Sequence, residues 1–378
     1  MKPSYQKPEN RKLAGLLPFE SLTDGLDMAH LPEIPGCRTF PLVRPDADYK
    51  FLHEAAVIVY HGVVFCSWYN CSVHELQGFT PIRGCRSRDG GNTWSAVEVL
   101  AQDPEQKLIS CPPVYGICDD TLYMLINTMV SADHMHSLDL YRYDEAAEQF
   151  RFFRSEPIPF KLNTNVCTLG NGKLMLPGRI AEPDSFPSTP AVLISDSGKI
   201  DAPWRLVSVQ ENDLLPDGTP LVHPEQTAII LGDTVTMFCR NDHLNVPLLY
   251  RSADNGETWT GPIAHDIPFV NSKIYAGTLS DGRNYVIGNI STDELSPYGP
   301  GSRSKLALFL SEPGKTVFTK GWLLRDGYDP ERDLHPQWSY PAAYEDKGRL
   351  YIIYTMVTQP SPEQRGAMMS IVDTAQLV

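Results

Sequence analysis

The residues of this chain best suited to chemistry are polar and charged groups standing at the ends of apolar runs. His53 and Glu54, Glu225 and Tyr340 open such runs, while Asn70, Arg179 and Arg240 close them. Cys111, Thr164 and Ile274 hold matching opening positions, and Tyr69, Asn127, Asn289 and Tyr354 matching closing ones. Carboxylate and imidazole groups can move protons near neutral pH. Guanidinium groups can grip a carboxylate through paired N–H donors. If the chain brings these ends together, the result is a solvated functional mouth rather than core.

The elements that must position them form an internal repeat. HEAAVIVYHGVVFCSWYN, CPPVYGICDDTLYMLINTM, TNVCTLGNGKLMLPGRI, EQTAIILGDTVTMFCRN, KIYAGTLSDGRNYVIGNI and YPAAYEDKGRLYIIYTM each read as strand, tight turn, strand. Their turns fall at Gly62, Asp120, Gly172, Asp233, Gly282 and Gly348. The spacing, about 50–65 residues, suits four-stranded propeller blades. Long helical periodicity is hard to find. Tandem β-sandwiches are the competing architecture.

Two further segments share one pattern, S-x-D-x-G-x-T-W: Ser87 to Trp94 and Ser252 to Trp259. Ser and Asp can bond the backbone of their own turn, and Gly supplies the positive φ of a reversal. Thr and Trp then begin the next strand. Weaker versions follow at Ser195-Asp196-Ser197-Gly198 with Trp204, at Ser311, Gly314 and Thr316, and at Tyr143-Asp144 before Phe150. The pattern resembles the Asp-box of sialidase-like β-propellers and marks outer hairpins. Asp89 and Asp254 are therefore read as structural. The expected fold is all-β: a six-bladed β-propeller of four-stranded antiparallel blades over residues 46–378. An N-terminal segment, 1–45, could close the ring with an outer strand near Arg38 to Arg44.

The resemblance to sialidases extends to single positions. That family carries a Glu at the start of a mid-chain strand and an Arg at the end of the next, as Glu225 and Arg240 stand here. Its next Arg precedes an apolar strand, the place of Arg303, and its Tyr nucleophile opens the last blade, the place of Tyr340. The resemblance implies Tyr340 as nucleophile with Glu225 as its base. It also implies Arg240 and Arg303 as a carboxylate clamp, while the convergence of strand ends adds Arg179, Glu54 and Asn70 as further substrate contacts. Where the family opens its first blade with an Arg, this chain has His53; where it carries an Asp acid/base, this chain has Glu75 beside His74. His335 falls in a loop. The expected function is exo-acting hydrolysis of a terminal acidic sugar. A lyase acting on a uronic-acid glycoside through His53, Tyr340 and the arginines is the alternative, and a non-catalytic carbohydrate-binding propeller the third reading.

Composition narrows the partners. The net charge is -14 and no basic run occurs, which argues against nucleic acid or anionic membranes. No apolar stretch reaches membrane-spanning length. The first residues lack a signal-peptide core, which favours a cytoplasmic address unless a leader was removed. Eight scattered cysteines include no C-x-x-C pair and read as reduced structural thiols. No metal motif is present, so neither metal nor cofactor is expected.

Overall fold

The tight turns decide the local structure. At the hairpin between Phe51–Tyr60 and Val63–Cys71, both turn residues, His61 and Gly62, have positive φ. Asp119 and Asp120 repeat this between Ile109–Cys118 and Thr121–Ser131, and Lys347 and Gly348 between Gln337–Asp346 and Arg349–Val357. Two successive positive φ values give a reversal whose twist matches that of antiparallel strands. A computed structural model describes residues 17–378 apart from 133, 182–187, 243–245, 292–298, 300 and 358–363. The first sixteen residues of the expected N-terminal segment thus lie outside the described residues.

Hydrogen bonding divides the described strands into five sheets rather than six separate blades. Four are separate sheets of four or five strands, running along the chain from Ile109 to Ser208 and from Gln226 to Asp326, with Phe19–Glu20 added at the edge of one. The fifth has eight strands. One half holds Phe51–Tyr60, Val63–Cys71, Ile82–Ser87 and Glu98–Ala101; the other holds Gln337–Asp346, Arg349–Val357, Arg365–Asp373 and Arg38–Val43. A single parallel pair, Arg365 with Phe51, joins the halves. The repeat could not foretell that seam, because it links strands from opposite ends of the chain.

Apolar packing closes the arrangement into a propeller-like ring. Phe51, Ile58 and Phe65 pack on Tyr115, Met124 and Ile126 of the next sheet. Leu125 and Leu140 there meet Phe160, Leu176 and Leu193. Met175 and Ile194 meet Val235, Met237 and Leu248, and Phe238 and Leu249 meet Phe269, Val286 and Phe309. Ile287 and Leu308 then meet Ile353 and Tyr354, in one cluster with Leu52, Val57 and Trp68. The last contact returns to the first sheet.

The N-terminal segment straps the outer edges. Phe19–Glu20 pairs in parallel with Thr260–His265, Thr23 bridges to Phe318, Glu33 bridges to Leu323, and Arg38–Val43 pairs antiparallel with Arg365–Asp373. Asp266 fixes the strap by accepting from Ser21 Oγ at 2.6 Å, the Leu22 N–H at 2.8 Å and Thr23 Oγ1 at 2.8 Å.

Both S-x-D-x-G-x-T-W segments form one kind of turn. Asp89 Oδ1 accepts from the Thr93 N–H at 2.8 Å and Asp254 Oδ1 from the Thr258 N–H at 2.9 Å, while Ser87 and Ser252 each accept from a Gly N–H at 2.8 Å. The Thr258 hydroxyl, donating to Asp254 Oδ2 at 2.6 Å, together with the Thr258 N–H and the Ser252 hydroxyl, holds the Asp254 carboxyl down to about 2. All eight cysteines are free thiols. No helix among the described residues is long and apolar enough to cross a membrane.

One buried residue is at odds with its surroundings. His265 is fully buried, edge-on to Phe238 and Phe269, and neither ring nitrogen has a partner. Burial pushes its pKa down to about 3, with Arg251 assisting and Asp266 opposing. The unfolded chain therefore binds the proton more readily, and stability falls as pH drops from about 6.5 towards 3. We predict that His265→Phe raises stability at neutral pH by roughly 1–3 kcal/mol and flattens the acid limb of a melting-temperature profile. An unchanged limb would refute this.

Candidate active site

The strand ends converge on one cavity of about 530 Å³. Two irregularities aim side chains into it. The pairing of Phe51–Tyr60 shifts register between His53 and Ala56, and that of Gln337–Asp346 between Ser339 and Ala342. Glu54 and Tyr340 lie inside these bulges with φ of 44° and 58°. Positive φ in such non-glycine residues costs on the order of 1–3 kcal/mol and persists where surrounding structure imposes it.

Arg240 organises the centre. Its backbone N–H donates to the Glu225 carbonyl at 2.9 Å, which extends the hairpin of Gln226–Leu231 and Thr234–Cys239 by one pair. Its Nη1 donates to Glu225 Oε2 at 2.8 Å and to Tyr340 Oη at 2.6 Å, while Nε donates to Asp242 Oδ1 at 2.7 Å. Asp242 in turn holds His223 Nδ1 at 2.7 Å. Burial opposes ionisation of Glu225, but Arg240, Lys273 and Arg179 outweigh it and keep the carboxyl well below its usual range. Burial raises the Tyr340 phenol, and Arg240 opposes that rise.

The remaining groups surround this unit. Lys273 Nζ donates to Glu54 Oε2 at 2.9 Å, and both residues are buried. The His53 ring centroid lies 4.0 Å from that of Tyr340, and its Nδ1 is 2.7 Å from Thr355 Oγ1. Burial, then Arg365, Arg303, Lys273 and Arg240, push His53 well below its ordinary value, so it is neutral. Arg303 lies 5.6 Å from the Tyr340 ring centroid and donates to the Asn271 carbonyl at 2.7 Å. Its backbone is held by Asn289, whose amide donates to the carbonyls of Arg303 and Trp338. Glu75 is exposed at the rim and accepts from Tyr69 Oη at 3.2 Å.

Tyr340, Glu225, His53, Glu75, Glu54, Arg179, Arg240 and Arg303 thus line one cavity. Asn70 does not. Its amide donates to the Phe51 carbonyl at 3.0 Å and accepts from Arg83 at 2.9 Å and Trp68 at 3.3 Å, bonds that fasten strands rather than ligand. Arg240 also departs from the expected clamp, because its guanidinium is already engaged by Glu225, Asp242 and Tyr340. Sequence reasoning missed Arg365, Lys161 and Lys273. Arg365 and Lys161 line the cavity from a third strand and a short strand, whereas the repeat was aligned on inner hairpins alone. His335 stays in a loop, 3.9 Å from Asp333. Among the described residues no cluster of His, Cys, Asp or Glu could hold a metal ion.

The architecture is that of sialidases. A sialidase from Trypanosoma rangeli, solved with sialic acid, superposes with a TM-score of 0.67 at 12% identity, over 92% of this chain and 60% of that one. A Hadza microbial sialidase gives 0.65 at 13% identity, over 88% and 67%. A protein of unknown function from Dyadobacter fermentans gives 0.67 at 15% identity, over 89% and 99%. This chain therefore spans about three fifths of the trypanosomal enzyme's length. Residues 62–352 match the BNR repeat-like domain, and the chain belongs to that sialidase-like β-propeller family. No curated protein matches its sequence.

Arg240 and Arg303 should differ sharply on substitution. Removing Arg240 leaves Glu225 buried and Asp242 half-buried without their cation, so Arg240→Met should cost about 3–5 kcal/mol in denaturant unfolding. Arg303 has no carboxylate partner among the described residues, and Arg303→Met should cost under ~1 kcal/mol. Equal losses would contradict the assigned pairing. Because Glu225 is depressed in the fold, its contribution is complete above about pH 4.5 and is lost as pH falls towards 2; Glu225→Gln should remove that part of the acid dependence.

Proposed function

We propose that the cavity is the active site of an exo-acting glycoside hydrolase of sialidase type, cleaving a terminal acidic sugar. The observation that carries this reading is the bonded unit of Tyr340, Arg240 and Glu225 inside a cation-lined cavity. We also count the two halves of the eight-stranded sheet as two blades, six in all, since each half holds four strands.

In this mechanism the phenolic oxygen of Tyr340 attacks the anomeric carbon and its proton passes to the Glu225 carboxylate. Arg240, donating to both oxygens, stabilises the charge while it moves. The glycosidic bond breaks as the departing oxygen takes a proton from Glu75, which stands at the open rim. Water then attacks the anomeric carbon and gives its proton to Glu75 while the bond to the Tyr340 oxygen breaks; the phenolate takes its proton back from Glu225, and the sugar leaves with retained configuration. A phenol suits an anionic sugar better than a carboxylate nucleophile, which would repel it. Arg303 and Arg365 are left to hold the substrate carboxylate, as both lack a carboxylate partner among the described residues. The trypanosomal neighbour's bound sialic acid is a carboxylated sugar, in keeping with that chemistry.

One observation favours a second reading. Neutral His53 packs directly on Tyr340 beside Arg303 and Arg365, a set that could abstract a proton from a uronate and eliminate its glycosidic oxygen.

A panel of sialosides and uronosides separates these readings. Hydrolysis incorporates solvent oxygen, whereas elimination yields an unsaturated product absorbing in the ultraviolet. Tyr340→Phe should lower kcat at least about 10³-fold, with Glu225→Gln next, while both variants keep the wild-type fold by circular dichroism. Full activity in both would refute the assignment.

A further inference from the structure

Lys161 and Arg179 face each other directly across the strands Phe160–Leu162 and Leu174–Ile180, and both line the cavity. Lys161 is 6% exposed and Arg179 3%. Two like charges directly opposite on a sheet repel one another, and burial makes each costlier. Neither has a carboxylate partner among the described residues, and Arg179 Nη1 is buried with no hydrogen-bond partner. Glu225 is close enough to feel Arg179 but is bonded to Arg240, and Glu54 is bonded to Lys273. Every nearby buried carboxylate is thus already committed.

The pair also stands apart from the other unpartnered cations. Its sheet packs on the sheets before and after it in the chain. Arg303 precedes the strand Lys305–Pro313 of one sheet, and Arg365 opens a strand of the eight-stranded sheet. The cavity therefore has positive charge without counter-charge on two separate walls. One carboxylate answers only one of them.

Resting on the acidic-sugar reading above, we propose that Lys161 and Arg179 form a second anion subsite. The cavity accordingly takes a saccharide bearing two negative groups, one held by Arg303 and Arg365 and the other by Lys161 and Arg179. The second group is an ester sulfate on the same sugar or the carboxylate of an adjoining acidic sugar; both offer oxygens to a lysine–arginine pair.

The test uses the full chain carrying Tyr340→Phe, to prevent turnover, in titration calorimetry. The probes are methyl glycosides of N-acetylneuraminic and glucuronic acids, each with and without a sulfate ester, and a disaccharide with two carboxylates. At least one doubly charged probe should bind about tenfold or more tightly than its singly charged parent, and which one does so identifies the second group. Lys161→Gln and Arg179→Gln should each bring that ratio near one. Arg303→Gln should weaken parent and derivative alike. A ratio near one before substitution, or one that survives both substitutions, overturns the subsite while leaving the acidic-sugar reading standing. Failure of every anion to bind overturns both. Thermal melting adds an independent check: Lys161→Met breaks no ion pair and should hold or raise the melting temperature, whereas a marked fall would assign Lys161 a structural role and overturn the proposal.

Discussion

The mouth of this propeller exists because each sheet buries one face on the next until the last meets the first. No single sheet holds His53, Glu225 and Tyr340 together: His53 and Tyr340 stand on opposite halves of the eight-stranded sheet, and Glu225 opens a hairpin of another. Apolar packing between Ile287, Leu308, Ile353 and Tyr354, continuous with Leu52 and Val57, completes the circuit. Dispersion and hydrophobic burial are non-directional, so they fix the walls without specifying the chemistry. The polar strand ends supply that chemistry at little cost to the core behind them.

At the centre, electrostatics replaces packing as the organising force. Arg240 is buried, and so are its partners Glu225 and Tyr340. An isolated charge at that depth would be prohibitive, but this guanidinium presents its donors to three acceptors at once. The arrangement fixes the phenol oxygen of Tyr340 relative to the Glu225 carboxylate without a direct bond between them. Bulges at His53 and Ser339 perform the complementary task, turning the backbone so that Glu54 and Tyr340 point inward.

Much of this was legible in the sequence because turns and alternation are local signals. The tight turns at Gly62, Asp120 and Gly348 set strand register in their hairpins, and the turn at Gly232-Asp233 placed Glu225 and Arg240 at matching ends of theirs. Asn70 occupies an equivalent end, yet its amide fastens the neighbouring strand; register locates a residue but says nothing of which bonds its side chain makes. Arg365 and Lys161 were hidden for another reason. The first lies on a seam joining distant parts of the chain, and the second on a three-residue strand too short to show periodicity. Arg240's threefold engagement was only partly legible: Asp242 stands two residues away, but Tyr340, a hundred residues away, reaches it only once the ring has closed.

The strap along the outer edges has a consequence for the order of assembly. Arg38–Val43 is synthesised long before Arg365–Asp373, its antiparallel partner. Throughout elongation it is a strand without a mate, and the ring beside it is open. Contacts of such long sequence separation form late and slowly, which leaves an exposed β-edge in the interval. Within RTFPLV, Pro41 removes one backbone donor and Arg38 adds a charge, two features that discourage an unpaired strand from joining another chain. The segment that finally locks the propeller is thus built to wait.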